Sequence, residues 1–394
     1  MIDAIFIGQT GLNSYSKGLR VIGNNVANLN TPGFKSSQLQ FADLYYSSGG
    51  NSSGNLSLMS GQQGYGVATY ATTLNFKDGQ LQQSGNDLDV AIKGNGLFVV
   101  QDESGKLYYS RAGQFEFNKD GVLVSKTDQA KVMALDASGK LVPITLTNLR
   151  INPAKQTATL RFTGNISSTD TEHVLSTVKI IDRVGGEHLV TVTLRPVRTG
   201  VWTVTVSEGT ATIGTGEIVF ANGLPVPGSD KVTIDYAPSG QDPMPVVLDF
   251  STDTTSFAAG ADSTLSLTGQ DGYAAGSLIG VSFDETGKLM LAYSNGQNVK
   301  DKQLALARFD SLDAVQAAGG NRFVSTDDSS WHIGVAGSSG FGSVAAGLVE
   351  ISNVELSQEF SNLIIMQRGY QASSQIISTA NEMIQELFDM KGRR

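Results

Sequence analysis

Residues that usually carry chemistry are sparse in this 394-residue chain, which has 3 histidines and 0 cysteines. His173 and His188 each follow a glutamate, so each pair would offer an imidazole and a carboxylate to one metal ion. Adjacent residues on a strand point to opposite faces of a sheet, which separates the two groups of each pair. We therefore interpret both histidines as surface residues of strands.

Glycine-rich and acidic segments give no stronger signal. The Gly-x-Gly pairs at 64–66 and 94–96 lack the strand–turn–helix setting of a phosphate-binding loop. The acids within 249–262 lack the alternating ligands and the closing glutamate of a calcium loop. The sequence thus predicts no catalytic residue, no metal site and no cofactor, and hence a protein that is not an enzyme.

Composition limits the partners of the chain. Its 28 basic and 37 acidic residues give a net charge of −9, whereas nucleic-acid binding needs clustered cations that displace phosphate counterions. No apolar stretch reaches the roughly 18 residues that span a bilayer, so we expect no membrane insertion. The first residues lack the basic region of a secretory signal peptide. Composition alone favours a soluble, cytoplasmic protein.

Apolar residues repeat every seven positions at both ends of the chain, as at the a and d positions of a coiled coil. The N-terminal series are Ile5, Leu12, Leu19 and Val26, and then Tyr15, Ile22 and Leu29. The C-terminal series is Leu356, Leu363, Tyr370, Ile377 and Ile384, flanked by Met366, Ala380 and Leu387. An amphipathic helix packed on its own domain would explain either repeat alone. Two matching stripes favour a helical hairpin whose remaining apolar surface is covered by neighbouring subunits.

The ends of these helices carry recognisable signals. Residues 30–33, Asn-Thr-Pro-Gly, predict the end of the first helix, because proline disfavours helix at the preceding residue. Ser352 and Glu355 have the spacing of a capping box, which predicts that the second helix begins beside them. Segments 47–66 and 334–347 are rich in glycine and serine, so we expect flexible connections between the helices and the rest.

The residues between the helices predict a β-rich body. An Asp-x-x-Gly-Lys-Leu turn recurs at 102–107, 136–141 and 284–289, with a looser copy at 118–123. Such turns close hairpins, with aspartate or asparagine capping the turn and glycine in the left-handed region. Residues 148–272 differ from this pattern by their Thr- and Val-rich strands, and we interpret them as a second β domain inserted into the first.

Several motifs follow one another in order from one end of the chain to the other. They contain Asn24, Asn25, Asn28, Pro32, Gly33, Phe34, Lys35, Asp89, Gly94, Gly96, Phe98, Arg111, Gly113, Asn353, Gln367, Arg368 and Tyr370. Together, and at both ends, these motifs resemble the signature of bacterial flagellar rod and hook proteins.

The resemblance implies a mixed, mainly β fold: two nested β domains, with N- and C-terminal α-helices paired as a coiled-coil-like inner domain. The expected domains are a helix of the inner domain at 1–35, a flexible or extended linker at 36–71, a β domain at 72–147 plus 273–345, an outermost inserted β domain at 148–272, and the C-terminal helix of the inner domain at 346–394. The expected assembly interface is formed by Ile5, Leu12, Leu19, Ile22, Val26, Leu29, Leu356, Leu363, Tyr370, Ile377, Ile384 and Leu387.

The resemblance also implies a hook-type function: a subunit that polymerises into a curved, flexible tube and transmits torque from rod to filament. Its expected partners are further copies of itself, the flagellar rod, the hook cap, the hook–filament junction proteins and the flagellar export apparatus. Export would place the chain outside the cell and replace the cytoplasmic expectation. Segment 46–61 resembles an insertion of distal rod proteins, and we interpret it as a stiffening feature rather than a change of identity. Two alternatives stay open: a distal rod protein that forms a straight, stiff tube, and a secreted β-rich carbohydrate-binding or hydrolytic protein.

Overall fold

The computed structural model is mainly β, with one long helix near each end. It describes residues 2–44, 46–48, 62–136, 138–338 and 340–392. Helix α1 spans Ile2–Ala27, which confirms the predicted stop before Pro32, and helix α2 spans Leu356–Gly392. Within the described ranges, neither helix has both the length and the apolar composition needed to cross a bilayer.

The chain divides into two compact units. Unit 1 comprises Met1–Leu146, Val281–Met290 and Lys300–Arg394, and unit 2 comprises Thr147–Gly280 and Leu291–Val299. The segment expected to be an inserted domain, 148–272, lies within unit 2.

Unit 1 begins with α1 and a series of short strands. These are β1 (Ser37–Asp43), β2 (Tyr46–Ser48), β3 (Gln62–Gly64), β4 (Val67–Leu74), β5 (Leu81–Gln83), β6 (Val90–Lys93), β7 (Leu97–Gln101), β8 (Leu107–Ser110), β9 (Phe115–Phe117), β10 (Leu123–Ser125), β11 (Lys131–Leu135) and β12 (Leu141–Pro143). Strands β1 and β4 form an antiparallel pair, and α1 contacts both of them.

Unit 2 contains two five-stranded sheets around one core. Its strands are β13 (Ile151–Asn152), β14 (Thr159–Asn165), β15 (His173–Ile181), β16 (Glu187–Arg198), β17 (Val201–Glu208), β18 (Ala211–Ala221), β19 (Leu224–Pro225), β20 (Lys231–Tyr236), β21 (Met244–Asp249), β22 (Thr254–Thr255) and β23 (Ser266–Gln270). One sheet has the order β15-β16-β17-β18-β19, and the other β20-β21-β14-β22 with β23 beside β14. Strict alternation of buried and exposed residues in β20 produces one core-facing side.

The remaining strands are β24 (Gly276–Phe283), β25 (Lys288–Tyr293), β26 (Asn298–Phe309), β27 (Val315–Gly319), β28 (Arg322–Ser325), β29 (Trp331–Val335), β30 (Ser343–Ala346) and β31 (Leu348–Glu350), with 3₁₀ turns at Leu312–Ala314 and Asp328–Ser330. Strands β24, β25 and β26 each contain residues of both units, and the strands after them belong to unit 1. In unit 1, β26, β11, β7, β8, β28 and β27 neighbour one another in this order. Leu97, Val99, Tyr109 and Phe323 belong to the core that this sheet buries.

The recurring turn motif forms the predicted hairpin turns. In the turn between β7 and β8, the Lys106 amide donates to Asp102 Oδ1 at 2.9 Å, and Gly105 has a φ of 87°. The same carboxylate cap recurs at Asp136 and Asp284, at 2.8 and 2.9 Å. One local rule, an aspartate that caps a glycine turn, therefore closes three hairpins.

The predicted start of α2 is wrong. The helix begins at Leu356, and the Ser352 hydroxyl accepts from the Val354 amide at 3.3 Å, so it caps no helical amide. Asn353 explains the difference, because its side chain accepts from Ser36 N and donates to two carbonyls, which fixes an extended backbone. The polar side chains before α2 anchor a loop and do not cap the helix.

The expected flexible connection at 334–347 is also wrong over its second half. Strand β30 pairs with β6, and β31, which follows directly, pairs with β5. Part of the expected linker at 36–71 is likewise ordered as the β1–β4 pair. Residues 46–48 and 62–64 of that linker form the β2–β3 pair. Residues 45 and 49–61 lie outside the described residues, and so does most of the stretch 46–61, whose stiffening role stays a prediction.

Candidate functional site

The loop after α1 is fixed by a glycine. Gly33 has a φ of 69°, and a Cβ at this position would lie 2.5 Å from the Ala112 amide nitrogen. The Gly33 amide donates to the Glu350 carbonyl oxygen at 2.8 Å. A residue with a side chain does not fit this close contact with Ala112. The resulting path of the backbone places Lys35 in the interior.

Lys35, Arg111, Glu350 and Asp78 form a buried charge cluster. Lys35 Nζ lies 2.7 Å from Glu350 Oε1, and Arg111 Nε lies 2.6 Å from Glu350 Oε2. The side chain of Lys35 is 0% exposed, that of Arg111 3% and that of Glu350 1%. Arg111 Nη2 also contacts Asp78 Oδ1 at 2.7 Å, and Asp78 lies nearer the surface. The cluster joins the loop after α1, Arg111 directly after β8 and the end of β31.

The remaining polar atoms of the cluster are satisfied. Glu350 Oε1 also accepts from the Gly79 amide at 2.7 Å, and Lys35 Nζ donates to the Lys77 carbonyl at 2.7 Å. Arg111 donates to the carbonyls of Ile92, Gly94 and Gly96. A buried ion pair stabilises a fold only when such additional bonds offset the loss of hydration. This condition is met.

Burial and ionic partners act in opposite directions on Glu350 and Lys35. Burial disfavours the Glu350 carboxylate, but Arg111, the Gly79 amide and Lys35 outweigh it, so the pKa of Glu350 is lowered. Burial lowers the pKa of Lys35, and its bond to Glu350 offsets this in part. The arrangement supports ionic anchoring rather than proton transfer.

Two asparagines from the motifs extend this anchor to the helices. Asn25 exchanges two hydrogen bonds with the backbone of Ser37, at 2.8 and 2.9 Å, and donates to Glu359 Oε1 at 2.9 Å. Asn353 connects the segment before α2 to Ser36. Burial raises the pKa of Glu359, since the bond from Asn25 only partly compensates for lost hydration. Both helices are thereby tied to the residues around the charge cluster.

Helices α1 and α2 lie antiparallel, in contact through glycines of both helices. A Cβ at Gly8 would lie 2.7 Å from Ile377 Cγ1, and one at Gly11 would lie 2.5 Å from Ser373 Oγ. Helix α2 also contributes a glycine to the contact, because Gly369 leaves room for the Tyr15 ring. The buried residues of α1 are Gly8, Gly11, Ser14, Gly18, Ile22 and Asn25, of which Ser14 bonds to Val67 of β4 and Asn25 to Ser37 of β1.

The predicted assembly residues are placed differently from one another. Tyr15 and Ile22 share the α2-facing side with Gly8, and Ile22 is buried, whereas Leu29 lies in the turn after α1 and is half-buried. Ile5, Leu12, Leu19 and Val26 lie on the neighbouring side of α1, one residue after its buried positions, and they are half-buried. On α2, Leu363, Ile377 and Ile384 are half-buried, whereas Leu356, Tyr370 and Leu387 are exposed. The glycines were missed because a search for apolar repeats passes over them.

A long stripe of exposed apolar side chains runs along α2. It comprises Ile365, Ile376, Met383, Leu387 and Met390. Leu356, Phe360 and Ile364 form a second exposed group near the start of the helix. Large exposed apolar surfaces of this kind mark interaction sites.

The other motif residues fall into three groups. Phe98, Asp89 and Gly113 lie in the interior of unit 1, where a Cβ on Gly113 would lie 1.8 Å from the Val90 carbonyl oxygen. Pro32 and Phe34 are half-buried in the loop after α1, near Asn24 and Asn28 in the last turn. The exposed group on α2 is Gln367, Arg368 and Tyr370.

The histidines lie where strands and turns meet. His188 of unit 2 is half-buried between Asp182 and Glu208, each 3.2 Å away. Asp182 is buried, but bonds from His188 and Gln241 outweigh burial and lower its pKa to about 2. In the part of the chain that the structure describes, no group of three or more acidic, histidine or cysteine residues has metal-binding geometry.

The sequence reasoning missed Glu350, Asp78 and Glu359. Glu350 follows two apolar residues and precedes Asn353 of the motifs, so it is an acid beside a buried strand. Charged residues make up only 16% of the chain, which makes a charge in such a setting a usable signal. Its partners, Lys35 and Arg111, were singled out only as motif residues.

Comparison with known proteins covers both ends of the chain. Three family models match: "Flagella basal body rod protein" at residues 5–35, "Flagellar hook protein FlgE/F/G D1 domain" at 91–168, and "Flagellar basal body rod FlgEFG protein C-terminal" at 345–390. The flagellar hook protein FlgE of Escherichia coli is 30% identical, over 97% of this chain and 98% of that protein. The chain belongs to the flagellar hook protein family.

Other hook proteins extend this similarity. The hook protein FlgE of Salmonella typhimurium is 29% identical over 97% of the present chain and 98% of its own length. The hook protein of Borreliella burgdorferi is 26% identical over 99% and 100%. The crystal structure of Helicobacter pylori flagellar hook protein FlgE2 matches with a TM-score of 0.50 and 12% identity, covering 68% of this chain and all of that one, which supports a shared fold.

The glycine contact between the helices generates a first prediction. Gly8→Ala places a methyl group against Ile377, so we expect the helix pair to lose about 1–2 kcal/mol despite the better helix propensity of alanine. Gly23→Ala is the matched control, because its Cβ would meet no atom within 4 Å, and it gains about 0.5–1 kcal/mol. Thermal melting of the helical circular dichroism signal measures both. Equal effects of the two variants would contradict the close-packed contact.

The charge cluster generates a second prediction. Glu350→Gln leaves Lys35 and Arg111 buried without their carboxylate, at an expected cost of about 3–5 kcal/mol at neutral pH. Because the folded-state pKa of Glu350 is lowered, its contribution is present above the ordinary value of 4.5 and is lost as pH falls through the folded-state pKa. The variant therefore lacks the contribution of Glu350 to the loss of stability at acid pH. Urea unfolding at a series of pH values measures this difference.

Glu359→Gln is the matched control with the opposite sign. The folded-state pKa of Glu359 is raised, so its ionised form costs stability above that pKa and the cost disappears on acidification. Its replacement by glutamine leaves neutral-pH stability unchanged or higher. If both variants were destabilised alike at neutral pH, the ionic role of Glu350 would be wrong.

Proposed function

We propose that this chain is the structural subunit of the bacterial flagellar hook and polymerises through its terminal helices into a curved, flexible tube that transmits torque from rod to filament. The observation that carries the assembly proposal is the exposed apolar stripe on α2. Membership of the hook protein family favours hook over distal rod. A hook subunit works outside the cell, so the cytoplasmic expectation from composition is wrong.

Burial of the stripe supplies the driving force for assembly. Apolar surface contributes about 25 cal/mol per Å², so a few hundred Å² per contact contribute several kcal/mol before the entropy of association is subtracted. A tube repeats the contact around and along its axis, which stabilises an assembly whose single contacts are weak. The a and d residues on α1 and α2 are the proposed interface, joined by Ile365, Ile376, Met383 and Met390.

The charge cluster gives the helices a firm base in this proposal. A load on α2 passes through Glu350 to Lys35 and Arg111, and through β30 and β31 to strands β5 and β6. Because this base is paired and buried, each helix moves with the sheet residues to which it is tied. Neighbouring subunits are then displaced relative to one another at the contacts between subunits.

The finer organisation is also part of the proposal. We infer that residues 148–272 form a domain inserted into the β domain at 72–147 plus 273–345, and that the two helices form a coiled-coil-like domain of their own. The chain serves as a building block rather than an enzyme, in keeping with its relatives. Its proposed partners are copies of itself, the rod, the cap, the hook–filament junction proteins and the export apparatus.

A pair of adjacent substitutions tests the assembly role of α2. Ile376→Asp places a charge in the exposed stripe, so we expect a folded subunit whose polymerisation on hook fragments falls at least tenfold. Gln375→Asp adds the same charge one residue away, on the polar side of the helix, and polymerises like the parent chain. Electron microscopy counts the tubes, and circular dichroism verifies the fold. Normal tubes from Ile376→Asp would rule out the stripe as an interface.

A further inference from the structure

The register of the two helices leaves the end of α2 beyond α1. Gly8 lies opposite Ile377, Tyr15 opposite Gly369, and Asn25 opposite Glu359. Continued to Ile2, this antiparallel register ends near Met383. The last turns of α2 therefore extend past the described part of α1, and their apolar side chains Leu387, Phe388 and Met390 are exposed.

This projecting end has two adjacent faces of different chemistry. Glu382, Glu386 and Asp389 follow the i, i+4, i+7 spacing that places side chains on one side of a helix. Met383, Leu387 and Met390 have the same spacing one residue later, so they form the neighbouring face. Among the described residues, none of these carboxylates forms an ion pair with a lysine or arginine.

A groove of complementary chemistry is lined by residues of α1, β1 and β4. It has a volume of about 560 Å³ and runs between α1 and strand β4. Lys17 and Arg20 line one wall, with Val21 beside them, and Leu39 and Tyr70 lie across the groove. Tyr70 is 81% exposed, which is unusual for a large aromatic ring beside apolar neighbours.

The cations of the groove lack acidic partners. Lys17 Nζ donates to Thr69 Oγ1 at 3.0 Å, which leaves its charge uncompensated. Within the described ranges, neither Lys17 nor Arg20 lies within 4.0 Å of a carboxylate. Their i, i+3 spacing on α1 presents both charges along one wall, as the acids are presented on α2.

From these two surfaces we infer that the projecting end of α2 of one copy docks into the α1–β4 groove of the next copy. The acids Glu382, Glu386 and Asp389 face Lys17 and Arg20, while Met383, Leu387 and Met390 cover Val21, Leu39 and Tyr70. The two surfaces are different regions of the same chain. Such a head-to-tail contact passes from copy to copy, unlike a two-fold contact, and it produces an open helical polymer when its rotation does not close a ring. The inference rests on the proposed polymerisation and names the contact within it.

Disulfide trapping tests the contact directly, because the chain has 0 cysteines of its own. The double variant Arg20→Cys/Glu386→Cys, polymerised on hook fragments and oxidised, is expected to give a ladder of dimers, trimers and higher species. Its control, Arg20→Cys/Gln385→Cys, has the second thiol on another side of α2 and gives at least tenfold less ladder, because a disulfide requires Cα atoms within about 7 Å. Cross-linking that stops at the dimer would overturn the head-to-tail contact.

Charge reversal provides a second, independent test. Lys17→Glu/Arg20→Glu is expected to slow polymerisation at least tenfold, and adding Glu382→Lys/Glu386→Lys to the same chain restores it, because every contact is then reversed on both sides. Lys119→Glu/Lys140→Glu, in two exposed turns of unit 1, changes the net charge by the same amount and is expected to polymerise like the parent chain. Polymerisation unaffected by the first variant, or not restored in the fourfold variant, would overturn the inference.

The two proposals fail in distinguishable ways. If the parent chain forms tubes but the cysteine pair gives no ladder, the docking contact is wrong and the hook-subunit proposal stands. If the parent chain forms no tubes on hook fragments, the proposed function falls and the docking contact falls with it.

Discussion

The structure of unit 1 depends on one buried carboxylate, that of Glu350. It receives Lys35 from the loop after α1, Arg111 from the sheet and an amide from Gly79, so segments far apart in sequence meet at one group. Removing any of the charges would leave the others buried and unpaired, which is costly in a low-dielectric interior. The helices at the two ends of the chain therefore have a common base, and Asn25 and Asn353 extend it to both of them.

A second constraint acts along the helices themselves. Glycines at 8, 11 and 369 allow close approach of α1 and α2, which uses only one side of each helix. The apolar stripe of α2 then remains exposed in the single subunit. Close internal packing and an exposed external stripe have complementary effects: the first fixes the orientation of the helices, and the second makes assembly favourable. A lone subunit is in this sense an incomplete structure.

Sequence patterns predicted the elements better than they predicted the contacts. Both helices, the mainly β body and the glycine turns capped by aspartate follow from local rules, because each depends on a few neighbouring residues. The start of α2 was mispredicted, since Ser352 bonds to the Val354 amide within the preceding loop and Asn353 serves tertiary contacts that no local rule registers. The charge cluster was missed for the same reason: Lys35, Arg111 and Glu350 are distant in sequence, and only the fold makes them neighbours.

The central claim is that the charge cluster around Glu350 is already formed in the free subunit, whereas the exposed stripe of α2 is covered only on assembly. Hydrogen exchange of the free subunit and of the polymer tests this claim most directly. The amides of Gly33 and Gly79 donate to Glu350, and the amide of Ser36 donates to Asn353. These three amides are expected to exchange slowly in both states. The amides of α2 along its exposed stripe should gain protection only in the polymer. Fast exchange of these three amides in the free subunit, or unchanged exchange of the α2 amides on polymerisation, would contradict the account.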